Sequence, residues 1–414
     1  MQPEQNSIGV EFEGPAPTTM VAELDDRRLI AAVKGPAGSV SRDAGKTWGD
    51  PVPFLQDGRP LDGSPASVGR LANGNLGLIY SRKELIKTPS YSTPVRTWFY
   101  SSSADEGRNW SPGSPIDRPC RYEDQEIAGM VNKGVFVQYP YGRLMQLSGG
   151  RLIFPLYWYL GGRHPEMKQW GRPARGTVRG HPTRGIDGHT FEAAMGGCFT
   201  YFSDDSGKSW RRSTGSIMVW PLPNERIGGF GATYEPVLAE LKDGRLLMFM
   251  RTNVGRIYQS LSEDRGENWS LGTPTELASG DVPSWLGRLQ TSRDLLVIWN
   301  QASREEIERG YSRGRLSVAL SRDEAKSWQN FKTVVCSPGL DPLAKVKLSP
   351  VAHVRARDEV GVLPDGYSYH HYPTLAFVQA KACLFYNSGG MTDNGSFRAW
   401  NPALKVVSEK SLYA

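Results

Sequence analysis

Short runs in which apolar and polar residues alternate recur along this chain, and they are too brief for helices. Cys198 to Phe202, Ile257 to Leu261 and Leu316 to Leu320 have strand character, and each leads straight into turn-forming residues. Longer stretches read as strand, turn, strand: Pro65 to Ile79, Tyr141 to Phe154, Glu235 to Met250 and Pro283 to Trp299. Less regular versions lie at Thr18 to Val33 and Tyr372 to Tyr386, which makes six hairpins. No apolar run approaches the ~20 residues of a membrane-spanning helix.

Between the hairpins an octapeptide of the form S-x-D-x-G-x-[S/T/N]-W occurs at Ser41 to Trp48, Ser103 to Trp110, Ser203 to Trp210 and Ser262 to Trp269. A fifth copy, Ser321 to Trp328, has Ala325 in place of the glycine. Each has the chemistry of a hairpin turn. The Asp bonds backbone N–H groups of its own turn, the Gly takes a positive φ, and the Trp folds back as an apolar plug. Fivefold repetition marks these aspartates as structural. Successive serines are 62, 100, 59 and 59 residues apart. The long interval holds about 40 residues beyond a repeat of ~60, the signature of an insertion into a periodic fold. Two strands per hairpin, a third before each octapeptide and a fourth after it give the blade of a β-propeller. The expectation is therefore an all-β, six-bladed β-propeller forming one domain over residues 1–414, with an insertion at about 161–197 in the third blade.

Composition narrows the function. The 46 glycines, 29 prolines, 12 tryptophans and 17 tyrosines suit many strands and tight turns, and 39% hydrophobic content excludes a membrane protein. The net charge of +6 comes from scattered basic residues with no dense run, so neither nucleic acid nor a membrane is an expected partner. Cys120, Cys198, Cys336 and Cys383 lie far apart without zinc spacing, and they read as buried free thiols. No metal or cofactor is expected. The N-terminus has no secretory pattern, which predicts a cytoplasmic chain, or a secreted or periplasmic one if a signal has been removed.

Octapeptides of this kind alternating with E-P-x-x-x-E-L-x-D-G-R-L hairpins resemble the sialidase superfamily, the Asp-box or BNR-repeat propellers, over nearly the whole chain. Bacterial exo-sialidases are the most similar members. The resemblance implies a tyrosine nucleophile paired with a glutamate, three arginines on the substrate carboxylate, and an aspartic acid/base. Aligning the hairpins on their turns independently puts Glu235, in Tyr-Glu-Pro, and Tyr372, in Tyr-Pro-Thr-Leu, at one position of two inner strands. A phenol needs such a neighbour, because a carboxylate must take its proton before it attacks an anomeric carbon. Arg251, 16 residues after Glu235, matches the second arginine of the family, and Arg313 matches the third. Arg315 would share the strand face of Arg313, so the register between the two is open.

Two family features have no match. Gly14 to Met20 holds no arginine, and Lys34 to Ser39 holds no aspartate. Candidates to replace the arginine are Arg143 in the third hairpin and Arg82 and Arg96 in the second blade. The insertion carries Asp187, His164, His181, His189 and Glu192, of which Asp187 or His189 is the candidate acid/base. His371, beside Tyr372, is a further candidate to bind substrate. These residues predict a retaining exo-glycosidase acting on an acidic glycan, with sialic acid or a related 2-keto-3-deoxy sugar acid as the terminal unit. The alternatives are a polysaccharide lyase or other uronate-active enzyme on the same propeller, and a carbohydrate-binding propeller without catalysis.

Overall fold

A computed structural model describes residues 7–25, 27–87, 92–117, 136–160, 177–178, 181–182, 195–219, 233–252, 254–309, 311, 313–346, 348, 365–390 and 401–414. Antiparallel sheets follow one another along the chain. Typical is the sheet formed by Thr233–Glu240, Leu246–Thr252, Arg256–Ser262 and Thr273–Ala278, whose strands pair in chain order. The next is built the same way from Trp285–Arg288, Leu295–Trp299, Arg315–Ser321 and Gln329–Cys336. In the last sheet Ser368–Val378, Lys381–Gly390 and Asn401–Ser408 are completed by Phe12–Pro15, so the beginning of the chain supplies the outermost strand beside its end.

Apolar packing runs between neighbouring sheets rather than through one central core. Val237, Phe249, Leu286 and Trp299 form one such layer. Leu296, Val318, Leu384 and Val407 form the next, and Leu29, Ala31, Phe385 and Leu404 join the last sheet back to the first. Packing neighbouring sheets face to face this way leaves the innermost strands around an axial channel, the arrangement of a propeller.

The all-β propeller expectation is met. The count of six is not: the described strands form seven sheets of three or more strands, together with a two-stranded one. The extra three-stranded sheet joins Leu55–Gln56, Arg59–Pro60 and Asn109–Trp110. Its strands are two residues long and one pairing is parallel, so it leaves no alternating pattern and no hairpin for an alignment to find. Arg82 is committed to this region, with hydrogen bonds to the Asp62 carbonyl, Gln56 and the Tyr80 hydroxyl.

The octapeptides fold as expected. At the first, the Gly45 N–H donates to Ser41 Oγ, the Thr47 N–H donates to Asp43, and the Trp48 indole N–H donates to the Gly45 carbonyl. The residue before each glycine also has a positive φ, and in the fifth copy Glu324 and Ala325 adopt φ of 60° and 66°. The described cysteines, Cys198, Cys336 and Cys383, are free. Among the described residues, no helix is long and apolar enough to cross a membrane.

Candidate active site

Two proline dipeptides shape the site. In Glu235-Pro236 and Tyr372-Pro373 the proline has no N–H to give to the strand ladder, and pairing is interrupted there. The register shifts between Tyr234 and Val237 on one inner strand and between His371 and Thr374 on the other. Glu235 and Tyr372 sit in these bulges with φ of 44° and 55°, a backbone state that costs a non-glycine residue of order 1–3 kcal/mol. The bulges turn both side chains toward each other, and the Tyr372 hydroxyl donates to Glu235 Oε1 at 2.8 Å. Burial foremost, then the negative charge of Glu235, raises the Tyr372 pKa against the pull of Arg251 and Arg313. The phenol is therefore neutral near neutral pH and keeps its proton, donating it in a hydrogen bond to the carboxylate.

Arg251, at the end of Leu246–Thr252, donates from Nη1 to Glu235 Oε2 at 2.6 Å and from Nε to Asp281 Oδ1 at 2.7 Å. Burial opposes its charge, but Asp281 and Glu235 more than offset this and its pKa is raised. Arg313 donates from Nη2 to the Asp281 carbonyl at 3.4 Å, and its Nη1 stands 2.7 Å from His371 Nδ1. A guanidinium only donates, so His371 accepts at Nδ1 and carries its proton on Nε2. The His371 ring stands edge-on to the ring of Tyr372, with centroids 4.9 Å apart. Glu235, Arg251, Asp281, Arg313, His371 and Tyr372 thus form a closed circuit of contacts.

Arg315 has a different task. Its guanidinium forms a two-point ion pair with Glu306 and also bonds the carbonyls of Asp341 and Gln301. Glu306 belongs to a short helix, Arg304–Glu308, capped by Ser303, which anchors the loop between the two middle strands of this sheet. Arg313 and Arg315 therefore do not share an environment.

Arg143 lies in the axial cavity, its guanidinium carbon 5.2 Å from the centroid of the Trp285 ring. Burial lowers its pKa, and Glu23 is the charged group that acts the other way. Tyr141, two residues earlier, packs edge-on against Tyr372 at 5.8 Å. Both Tyr141 and Asp281 escaped the sequence reading. Tyr141 had a signal, because the alignment that pairs Glu235 with Tyr372 puts it at the same step of the third hairpin. Asp281 had none, since it precedes its hairpin in an irregular loop.

Arg96 lies in the strand Ser92–Ser103, opposite Lys83, and its side chain is outside the described residues. Asp187, His189, His164 and Glu192 lie outside them altogether, as does the 161–197 segment apart from the short strands Thr177–Val178 and His181–Pro182 and the start of Met195–Ser203. Among the described residues, no three or more His, Cys, Asp or Glu side chains come together as a metal site would require.

Fold and repeated turn define a propeller of the sialidase-like Asp-box superfamily. The chain belongs to the BNR repeat-like domain family, whose model matches residues 37–380. A search of curated proteins gives no match. Among solved structures it is similar to a protein of unknown function from Dyadobacter fermentans, at 13% identity and a TM-score of 0.55, over 97% of this chain and 98% of that one. It is also similar to the leech intramolecular trans-sialidase in complex with 2,7-anhydro-Neu5Ac, at 12% identity and TM-score 0.53, over 98% of this chain and 69% of that one. The NanB sialidase of Streptococcus pneumoniae matches at 13% identity and TM-score 0.52, over 98% and 71% of the two chains. At these identities the likeness establishes the fold.

Proposed function

We propose that this protein is a retaining exo-glycosidase that removes a terminal acidic sugar, a sialic acid or related 2-keto-3-deoxy sugar acid, from a glycan. The observation that carries this reading is the 2.8 Å hydrogen bond from Tyr372 to Glu235 within reach of two buried arginines. In the first step the Tyr372 oxygen bonds to the anomeric carbon as the glycosidic C–O bond breaks, and Glu235 takes the phenol proton. The departing oxygen receives a proton from an acid in the 161–197 segment, Asp187 or His189. Water then attacks the anomeric carbon, giving its proton to the same acid/base group, as the bond to tyrosine breaks and Glu235 returns the phenol proton, so the sugar leaves with its configuration retained.

Arg251 and Arg313 are assigned to the sugar carboxylate, since a planar, permanently charged fork pairs with it through two parallel bonds. Their own partners, Asp281 and His371, fix where those forks point. A neutral nucleophile suits this substrate, because a phenolate would meet the carboxylate as a like charge.

The test is incubation with a panel of 2-keto-3-deoxy sugar glycosides, following free sugar and the anomer first formed. Release of the retained anomer supports the reading. Binding without turnover points instead to a carbohydrate-binding propeller, and an unsaturated uronate product to a lyase.

A further inference from the structure

The axial cavity beside Tyr372 encloses about 340 Å³, toward the lower end of the range for small-molecule sites. The proposed chemistry does not use the two polar side chains that the third hairpin sends into it, Tyr141 and Arg143. The Arg143 guanidinium makes no hydrogen bond or ion pair with any described residue, and its contact is with the face of Trp285. Glu23, its charged neighbour on the same cavity wall, accepts the Phe377 N–H at Oε1 at 2.8 Å and makes no ion pair with Arg143. The Tyr141 hydroxyl likewise has no hydrogen-bond partner among the described residues.

The surroundings are built to leave this guanidinium open. Gly287 lies beside it, and a Cβ there would stand 3.0 Å from Arg143 Nη2 and 2.5 Å from the Trp285 ring. The cavity wall adds the hydroxyl-bearing residues Ser284 and Thr374. The Arg143 guanidinium is half-buried, and leaving such a cation without an acceptor is costly; an oxyanion accepting from the fork offsets that cost. A phenol two residues away adds a neutral donor, and the indole face gives the fork a flat support.

We infer that the axial cavity is a second anion site, separate from the Arg251–Arg313 pair, which takes the oxyanion group of a small molecule on Arg143 and Tyr141 above Trp285. Its ligand is a carboxylate, sulfate or phosphate group. The inference stands whether or not Tyr372 is a nucleophile, because none of its donors belongs to the Tyr372–Glu235–Arg251 cluster.

Calorimetric titration of the full chain with sodium acetate, sulfate and phosphate at fixed ionic strength tests it. The expected result is saturable binding by at least one of the three, the tightest naming the ligand class. Binding should persist in Tyr372→Phe and Arg251→Met and weaken about 10- to 100-fold in Arg143→Met, the range for losing hydrogen bonds to a charged group. No saturable binding, or binding lost in Arg251→Met and kept in Arg143→Met, overturns the inference. Should Arg143→Met fail to fold, a crystal of the unaltered protein soaked in selenate decides by anomalous scattering: a peak at Arg143 supports the site, and a peak only elsewhere, or none, overturns it. Sugar-release assays are independent of these readouts, so failure of the glycosidase reading leaves them interpretable.

Discussion

Glu235 and Tyr372 occupy the same step of two inner strands, each followed by proline, each at a positive φ, with hydroxyl and carboxylate 2.8 Å apart. Matching backbone distortion on two sheets is how the fold brings an acceptor to a phenol. Under the proposed mechanism, Tyr372→Phe should lower kcat by at least about 10³-fold. Glu235→Gln should lower it by about 10²–10⁴-fold, the range for a general base. Both variants should keep the fold by circular dichroism. Near-normal turnover by Tyr372→Phe would exclude attack by this residue.

Much of this architecture was legible because it rests on local rules repeated several times. Asp43 and its four counterparts recur with the same serine two residues before and tryptophan five after, so hairpin and sheet could be read from the spacing. Glu235 and Tyr372 were legible by alignment, since equivalent steps of equivalent strands converge on one axis. The strands at Leu55 and Asn109 were not, because pairing over two residues leaves no periodicity. The separate fates of Arg313 and Arg315 were hidden for another reason. Both fit one strand face, and only the tertiary position of Glu306 claims Arg315 while His371 meets Arg313.

His370 links the neighbouring backbone to acid stability. It is buried between the Ser368 and Ser388 hydroxyls, at 3.0 and 3.1 Å. Burial, aided by Lys405 and opposed by Glu13, lowers its pKa from 6.5 to about 4. Between those values the unfolded chain binds a proton that the folded chain refuses, so stability falls as pH drops from 6.5 toward 4. The loss is on the order of 3 kcal/mol when complete. His370→Gln should flatten this part of the curve, measured by urea unfolding across the range; an unchanged slope would assign the acid sensitivity elsewhere.

Gly207 and Ala325 hold the same place in two of the octapeptide turns, with φ of 87° and 66°. A Cβ on Gly207 would come within 2.1 Å of the buried Tyr100 ring. Gly207→Ala should therefore destabilise by about 2–4 kcal/mol, combining backbone strain with displacement of the ring. Ala325→Gly should stabilise by about 0.5–1 kcal/mol by relieving the strain already present. Thermal melts of the pair should move in opposite directions, and a shift of the same sign would show that the turn conformation does not set the cost.

The Asp281 carboxylate acts in the proposed reaction by holding Arg251, and that indirect role has a kinetic signature. Its Oδ1 holds the Arg251 Nε while Glu235 holds Nη1, so the two carboxylates together fix the plane of the fork. Asp281→Ala leaves the charge of Arg251 in place but frees its plane. On the proposed substrate KM should rise about tenfold or more, the scale of one hydrogen bond to a charged group, with a smaller change in kcat. Asp281→Asn should lie between, because its amide oxygen still accepts from Nε while the negative charge is gone. A methyl ester of the sugar acid separates positioning from general loss of structure. If Asp281 acts by aiming Arg251 at a carboxylate, the ester is a poor substrate for the unaltered enzyme and should lose little more in Asp281→Ala. Equal losses on acid and ester would place the effect in the fold of the site instead of the grip on the anion.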